Sequence, residues 1–182
     1  MTETVLTLKP NVTQHEALRI FSSGAATRLW KMRNGDLQRM AQAYVPYWGY
    51  RVHYTLGNAP KTRYFAMDAV TGALDLFEFP QLPGADRLLA VETRNALSGA
   101  LSAVRADELL REKALRIIFQ QGLFRLRAAR IEMQRDPSVF HIPYWLGFYG
   151  HAETARCRVL DAVRRRVEGA KASEFFEQWL AA

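Results

Sequence analysis

Apolar residues in the first part of the chain recur at the spacing of an α-helix. Residues 13–16 (TQHE) have the form of a capping box, in which a threonine and a glutamate three residues later satisfy amides at a helix start. The apolar positions that follow are Ala17, Leu18, Phe21, Ala25, Leu29 and Met32. Their intervals predict one amphipathic helix that ends near residues 34–35 (NG).

The period of the pattern changes to two from Trp48 onward. Apolar residues occupy the alternate positions Trp48, Tyr50, Val52, Tyr54 and Leu56. This alternation predicts a half-buried β-strand. Residues 62–69 and 73–79 predict a hairpin around residues 71–72 (TG), so the first part of the chain is expected to form a helix followed by three antiparallel strands.

The same pattern occurs twice in the chain. Residues 17–52 align with residues 114–149 at an offset of 97 without a gap, and 10 of the 36 aligned positions are identical. Average composition gives about two matches in such an alignment. The most specific match is between residues 45–48 (VPYW) and 142–145 (IPYW). We therefore predict an α+β fold made by tandem duplication of a helix plus three-stranded antiparallel sheet unit, with the two copies related by a pseudo-twofold axis.

The match continues beyond the tryptophan at a shorter offset. Residues 68–70 (DAV) correspond to residues 161–163 at an offset of 93, and a hairpin loop between the two blocks can absorb the change. We expect a first unit in residues 1–84, a mostly helical connector in 85–106 and a second unit in 107–182.

The second unit has predicted elements of its own. Its helix is expected from about Asp107 to Arg135, because Pro137 then stops it. Its hairpin turn is expected at residues 164–166 (RRR), and the spacing of residues 173–177 (SEFFE) predicts a short C-terminal helix.

Two segments resemble parts of known families. The segment from Val5 to Trp48, with LTLKPNVTQHEAL before a helix and AYVPYW after it, resembles a segment of uncharacterised bacterial and archaeal proteins that often lies beside a zinc ribbon. This chain has no Cys-x-x-Cys motif, so the zinc ribbon does not carry over. Residues 68–72 (DAVTG) resemble the hairpin of PepSY-like domains, which implies a role in binding or inhibiting a partner.

Composition and charge are those of an ordinary globular protein. Apolar residues make up 49% of the 182 residues and charged residues 24%, unlike the composition of disordered chains. The sequence has no long uncharged apolar run and no signal-peptide pattern, and its single cysteine fits a reducing compartment, so we expect a cytoplasmic protein without a transmembrane segment. The net charge of +7 is spread along the chain and favours solubility more than nucleic-acid binding.

Motifs of common cofactor and catalytic sites are absent from the sequence. It contains no Walker loop, Gly-x-Gly-x-x-Gly, Gly-x-Ser-x-Gly or His-Glu-x-x-His motif. Its four histidines lack the spacing of metal ligands, and Cys157 is expected to pack in a strand. The sequence therefore predicts no cofactor, no metal and no catalytic residue.

Aromatic residues on the two predicted strands are the first candidates for ligand binding. They are Trp48, Tyr50, Tyr54, Trp145 and Tyr149. Rings on a strand can form a platform for a ligand, but aromatic strand residues also build cores, and the sequence leaves both interpretations open. Trp30 lies opposite the apolar stripe of the first helix and is a candidate contact residue.

Two arginines fall on the predicted apolar helix stripes. Arg28 lies in the middle of the first stripe, and Arg125 occupies the matching position in the second copy. A guanidinium that faces a core needs an anionic partner. We therefore predict Arg28–Asp68 and Arg125–Asp161 pairs, with stacking of each Arg on the neighbouring Trp as the alternative. These arginines act either as structural ties or as anion-binding groups in a cleft.

The sequence favours a non-catalytic binding or adaptor module for a protein or a small ligand. This interpretation rests on the duplication and the aromatic residues together with the lack of catalytic motifs. A nucleic-acid-binding module is the alternative, in which Arg164, Arg165 and Arg166 contact phosphates. An enzyme with an unrecognised site is the third possibility.

Overall fold

The computed structural model describes residues 2–56, 59–120, 131–150 and 155–181. In these ranges the fold is α+β, with four α-helices and a multi-stranded mixed sheet. The helices are α1 (Gln14–Ser22), α2 (Ala25–Asn34), α3 (Ala103–Gln120) and α4 (Ala170–Ala181). The strands are β1 (Glu3–Leu8), β2 (Leu37–Leu56), β3 (Ala59–Asp68), β4 (Phe77–Phe79), β5 (Leu88–Thr93), β6 (Ile131–Tyr149), β7 (Arg156–Asp161) and β8 (Arg166–Val167). None of the helices in these ranges has the length and apolarity needed to cross a membrane.

The chain divides into two compact units, each built from separate segments. Unit 1 comprises Met1–Val45, Leu89–Leu97 and His141–Ala182, and unit 2 comprises Pro46–Leu88 and Ser98–Phe140. The long strands β2 and β6 each contribute one part to each unit. The compact units therefore do not coincide with the predicted segments 1–84 and 107–182.

Unit 2 is an antiparallel sheet covered by α3. Strand β3 pairs with β2 on one side and with β4 on the other, and Tyr50 lies opposite Phe65. The core contains Tyr50, Val52, Tyr54, Phe65 and Met67 from the strands, with Ala106, Leu110, Ala114 and Ile118 from the helix. The helical residues recur every four positions, so one face of α3 is buried along its length.

Unit 1 has a sheet of mixed direction with helices on it. Strand β7 pairs antiparallel with β6 and β8, whereas β1 runs parallel to β6 with Thr7 opposite His141. Its core contains Val12, Ala17, Phe21, Trp145, Tyr149, Leu160 and Ala162. Helix α4 also packs in this unit, where the rings of Phe176 and Tyr144 lie 5.5 Å apart.

Helices α1 and α3 each pack on strands that come from the other half of the chain. Helix α1, from the first predicted copy, covers β6 and β7 through Phe21 and Trp145. Helix α3, from the second predicted copy, covers β2 and β3 through Leu110 and Phe65. Ala17 and Phe21 of the first predicted stripe and Ala114 and Ile118 of the second are buried as predicted, but their partners lie far away in sequence.

The first predicted helix is divided into two helices. The capping box is confirmed: the Thr13 side chain accepts from the Glu16 amide and the Glu16 side chain accepts from the Thr13 amide. Helix α1 ends at Ser22, and Gly24 adopts a φ of 99°, which an L-residue with a side chain rarely adopts. The direction of the helix changes there, so the predicted stripe stops at Phe21, and Met32 is 85% exposed.

Two other predictions of helix are wrong in part, although residues 107–120 of the predicted second helix do lie in α3. Residues 131–135 belong to β6, where buried Ile131 alternates with exposed Glu132. The connector 85–106 begins with a short 3-10 turn (Ala85–Arg87) and β5, and α3 starts only at Ala103. Residues 121–130, which carry the rest of the predicted second helix, lie outside the described residues.

Candidate functional site

Unit 1 contains an open groove of about 660 Å³ between the start of α1 and the start of β2. We call it the α1–β2 groove. Its apolar lining is Leu18, Leu37 and Met40, and its polar lining is Thr13, Gln14, His15, Gln38 and Arg39. The volume lies within the roughly 300–1,000 Å³ of sites that bind small molecules.

The capping box fixes the helical wall of the α1–β2 groove. Hydrogen bonds from the amide and hydroxyl of Thr13, followed by one from Arg165, lower the pKa of Glu16 to about 2. The Arg165 guanidinium also donates to the carbonyl of Asn11, which ties the chain entering α1 to the β7–β8 turn. The first turn of α1 is therefore held in place, and Gln14 presents its side chain at the rim.

The floor of the α1–β2 groove is apolar surface left open at the edge of a core. Leu37 and Met40 are only partly buried where they pack against the core of unit 1. Leu18 lies on α1 one position after buried Ala17 and is 46% exposed. Covering such side chains with a ligand removes apolar surface from water, at about 25 cal/mol per Å².

Arg39 brings a positive charge to the same groove. Its guanidinium carbon lies 4.7 Å from the centre of the Phe148 ring, a cation–π distance that orients the side chain. The ion pairs among residues 2–56, 59–120, 131–150 and 155–181 do not include Arg39. Its charge is therefore available to an acidic group in the groove.

Known proteins do not identify the chain. No family model, no curated protein and no solved structure matches it. Its function has to be inferred from the site itself.

The aromatic residues singled out in the sequence lie mainly in the two cores. Tyr50, Tyr54 and Tyr149 are at most 6% exposed, and burial raises the pKa of Tyr50 and Tyr149. Trp145 is 9% exposed and donates from Nε1 to the carbonyl of Val12. These side chains pack against helices, which is the core interpretation that the sequence left open.

Two tryptophans are less deeply buried. Trp48 is half-buried beneath the Arg135 guanidinium, which lies 5.2 Å from the ring and also donates to Asp107. Trp30 is half-buried against Tyr149, with ring centres 6.1 Å apart. Its Nε1 is buried without a hydrogen-bond partner in the described part of the chain, so Trp30 is not the exposed contact residue that the helical wheel predicted.

Arg28 does not occupy the buried position predicted for it. Its side chain is exposed, because α2 does not continue the direction of α1. The buried carboxylate of Asp68 accepts instead from its own turn, with amide distances of 2.8 Å to Thr71, 2.8 Å to Gly72 and 2.9 Å to Leu74. The predicted pair assumed that Arg28 is buried and needs an anionic partner. Because Arg28 is exposed and Asp68 has partners in its own turn, that assumption does not hold.

Asp161 is also satisfied within its own turn. It accepts from the amides of Val163 and Arg164 and pairs with the Arg164 guanidinium at 2.6 Å. Burial raises the pKa of Asp161, and the N–H groups of Arg164 and Val163 oppose that rise. Arg125, its predicted partner, lies outside the described residues.

The triple-arginine turn predicted as a nucleic-acid contact is engaged with acidic residues. Arg164 pairs with Asp161 and Glu168, Arg166 pairs with Glu168, and Arg165 pairs with Glu16. These pairs reduce the positive potential that phosphates would meet at this turn.

Sequence reasoning missed Arg158, a buried cation in β7. It is 9% exposed and lies between Cys157 and Val159, both buried. The expectation that Cys157 packs in a strand is confirmed, and burial raises the pKa of its thiol to about 12. The signal for Arg158 was present in the repeat, because the offset of 93 aligns this arginine with Phe65.

Proposed function

We propose that the protein is a non-catalytic binding module whose α1–β2 groove takes a small molecule with an apolar body and an acidic group. One observation carries this proposal: exposed Leu18 and partly buried Leu37 and Met40 share a single groove with the cation of Arg39. The apolar floor supplies most of the affinity, and Arg39 selects an anionic ligand.

The rim adds hydrogen-bonding groups to this arrangement. Gln14 and Gln38 can each donate to and accept from a polar substituent. Because the capping box already holds the first turn of α1, little ordering is needed when a ligand binds.

We further propose that the fold arose by duplication followed by exchange of helices between the copies. Tyr47 lies opposite Asp68 and Tyr144 lies opposite Asp161, so both copies share one strand register. The next amide in each turn, of Ala69 or Ala162, donates to the proline carbonyl of the P-Y-W segment.

A residue in the left-handed region follows each aspartate at the same distance. Gly72 has a φ of 68° and Arg165 a φ of 58°, and the offset of 93 aligns the two positions. Such a conformation is uncommon for a residue with a side chain, so finding it in Arg165, at the position aligned with Gly72, supports common descent of the two hairpins.

A pair of fluorescent probes tests the binding proposal. 1-Anilinonaphthalene-8-sulfonate has an apolar body with an acid, and N-phenyl-1-naphthylamine has the same body without it. Leu18→Asp is expected to weaken both probes by about tenfold, because it places charge on the apolar floor. Leu180→Asp is the matched control: Leu180 lies on α4, is 47% exposed and does not line the groove.

Arg39→Gln separates the two parts of the proposed ligand. It is expected to weaken the sulfonate probe by about tenfold and to leave the neutral probe unchanged, since a charge-assisted contact is lost. The proposed use of the groove is contradicted if Arg39→Gln binds each probe as tightly as the unaltered protein does. It is also contradicted if Leu18→Asp and Leu180→Asp lose the same amount of affinity.

A further inference from the structure

A second concavity of unit 1, about 340 Å³ in volume, lies where α2 begins. We call it the Arg158 pocket. The first three residues of α2 line it together with Arg19 and Arg158, and its lining in the described chain includes no acidic residue. Two cations and a helix start therefore face the same space.

The amides at the start of α2 are not capped by a side chain. The residue before the helix is Gly24, and the first helical hydrogen bond runs from the Arg28 amide to the Gly24 carbonyl. Helical geometry leaves the amides of Ala25, Ala26 and Thr27 without partners inside the helix. The first turn also lacks an acidic residue, so the positive end of the helix dipole is not compensated there.

Arg158 provides an independent indication of an anion. The residue as a whole is 9% exposed, and its Nη1 donates to the hydroxyl of Thr27 at 2.7 Å. The other group on which it acts is also neutral, the hydroxyl of Tyr149. No ion pair of the described residues includes Arg158.

A buried charge with neutral partners is unfavourable. The guanidinium stays protonated in proteins and has five N–H donors, and the hydroxyls of Thr27 and Tyr149 each accept from it. Its charge has no acidic partner among the described residues, and it lines a concavity that has room for an anion. An oxyanion beside it would complete both its hydrogen bonding and its charge balance.

The other unit shows that the fold does not require a cation at this position. Arg158 lies opposite Gly147 on the helix-covered face, and the ring of Phe21 packs against that glycine. The aligned pair in unit 2 is Phe65 opposite Tyr50, which fills the corresponding space with two rings. Unit 1 therefore has a glycine and a guanidinium at the two positions that aromatic rings fill in unit 2.

We propose that the Arg158 pocket binds a phosphate group, either as inorganic phosphate or as a small phosphomonoester. The guanidinium of Arg158 pairs with two of its oxygens, and the amides of Ala25 and Ala26 donate to the others. The site goes beyond the α1–β2 groove, from which it is distinct in its lining residues.

Calorimetric titration of the full-length protein with inorganic phosphate tests this site, with chloride at equal ionic strength as the reference. Saturable binding is expected for phosphate, and Arg158→Gln is expected to weaken it at least about tenfold. Arg156→Gln is the matched control: it removes the same charge from the same strand, but its side chain is 61% exposed and does not line the pocket.

A second variant keeps the test decisive if Arg158→Gln does not fold. Ala25→Pro removes one amide donor at the first helical position, which proline favours, and Gly24 before it already has an extended ψ of 159°. The helix should be retained, as circular dichroism will show, while phosphate affinity falls about fivefold.

Glycerol 3-phosphate and glycerol distinguish the source of the phosphate. Tighter binding of glycerol 3-phosphate than of inorganic phosphate assigns the pocket to a phosphomonoester, and the reverse order assigns it to the free ion; glycerol alone is expected not to bind. The proposal is overturned if neither phosphate binds saturably, or if Arg158→Gln and Ala25→Pro both bind as tightly as Arg156→Gln.

Discussion

The two aspartate turns place the same carboxylate in the same register and satisfy it with different donors. Asp68 ends β3 in unit 2, and its donors in the described part of the chain belong to its own loop and include three backbone amides. Asp161 ends β7 in unit 1 and accepts from two amides and the Arg164 guanidinium. The position of the acid is thus common to both turns, while the hydrogen-bond donors are interchangeable.

The difference in donors changes the course of the chain after each turn. The loop around Asp68 must extend to Leu74 to deliver its third amide, and β4 begins only at Phe77. Arg164 fills the corresponding role with its side chain, so β8 begins at Arg166. The guanidinium of Arg164 thus takes the place of the additional loop residues that supply an amide to Asp68.

Removing the two carboxylates gives the largest expected effects. Asp68→Ala leaves three amides without their acceptor, two of them buried, and should cost about 3–5 kcal/mol of unfolding free energy. Asp161→Ala should cost less, about 2–3 kcal/mol, because Arg164 retains Glu168. Urea denaturation measures both, and a larger loss in Asp161→Ala than in Asp68→Ala would reverse the comparison.

The two left-handed residues are expected to differ by a smaller amount. A Cβ on Gly72 would lie 2.8 Å from Leu109 Cδ1 in addition to its unfavourable φ, so Gly72→Ala should cost about 2 kcal/mol. Arg165→Gly relieves the same φ strain but loses an exposed ion pair, so its net effect should stay within about 1 kcal/mol. Thermal unfolding of the two variants side by side checks the contrast, which disappears if both lose stability equally.

The smallest expected effect is a dependence on pH carried by Glu16. Its pKa is lowered from 4.5 to about 2, mainly by Thr13, so it binds fewer protons when folded than when unfolded between these values. Its contribution to stability is therefore present above pH 4.5 and is lost as the pH falls toward 2. Glu16→Gln should flatten this part of the stability profile.

Glu174 on α4, which is exposed, provides the control for that profile. In Glu174→Gln the loss of stability at low pH should be the same as in the unaltered protein. Identical profiles for Glu16→Gln and Glu174→Gln would mean that the capping box and Arg165 do not act on folding through Glu16.

Local signals in the sequence predicted local structure well. The capping box of Thr13 and Glu16 marked the start of α1, and the alternation from Trp48 marked a strand that in fact begins at Leu37. The hairpin turn at Gly72 was also predicted, since a threonine–glycine pair allows a positive φ. Each of these features depends on residues close together in the chain.

Predictions failed where the deciding interaction was distant or the periodicity was ambiguous. The position of Arg28 was derived from one continuous helix, and the break at Gly24 invalidated that geometry. Ile131 and Met133 fit both a helix stripe and strand alternation, and pairing within the sheet decides for the strand. Periodicity identifies a buried face, but it does not identify the element that covers it.

The candidate sites could be predicted only in part. The aromatic residues had been recognised as either core or surface, and packing against distant helices decides for core. The α1–β2 groove is lined by residues from 13–18 and from 37–40. A sequence pattern does not show that these two segments lie side by side. Arg158 was missed, although the offset of 93 aligns it with Phe65 and so places a charge at an aromatic position.

The order in which the segments of unit 1 leave the ribosome has a consequence for how it can form during synthesis. Helices α1 and α2 emerge early, but the strands that cover Phe21 belong to the segment His141–Ala182. At typical rates of translation, residues 1–45 wait roughly 5–20 s for these strands. Throughout that interval the apolar face of α1 is available to chaperones or to another nascent chain, and unit 1 can close only after the segment His141–Ala182 has been made.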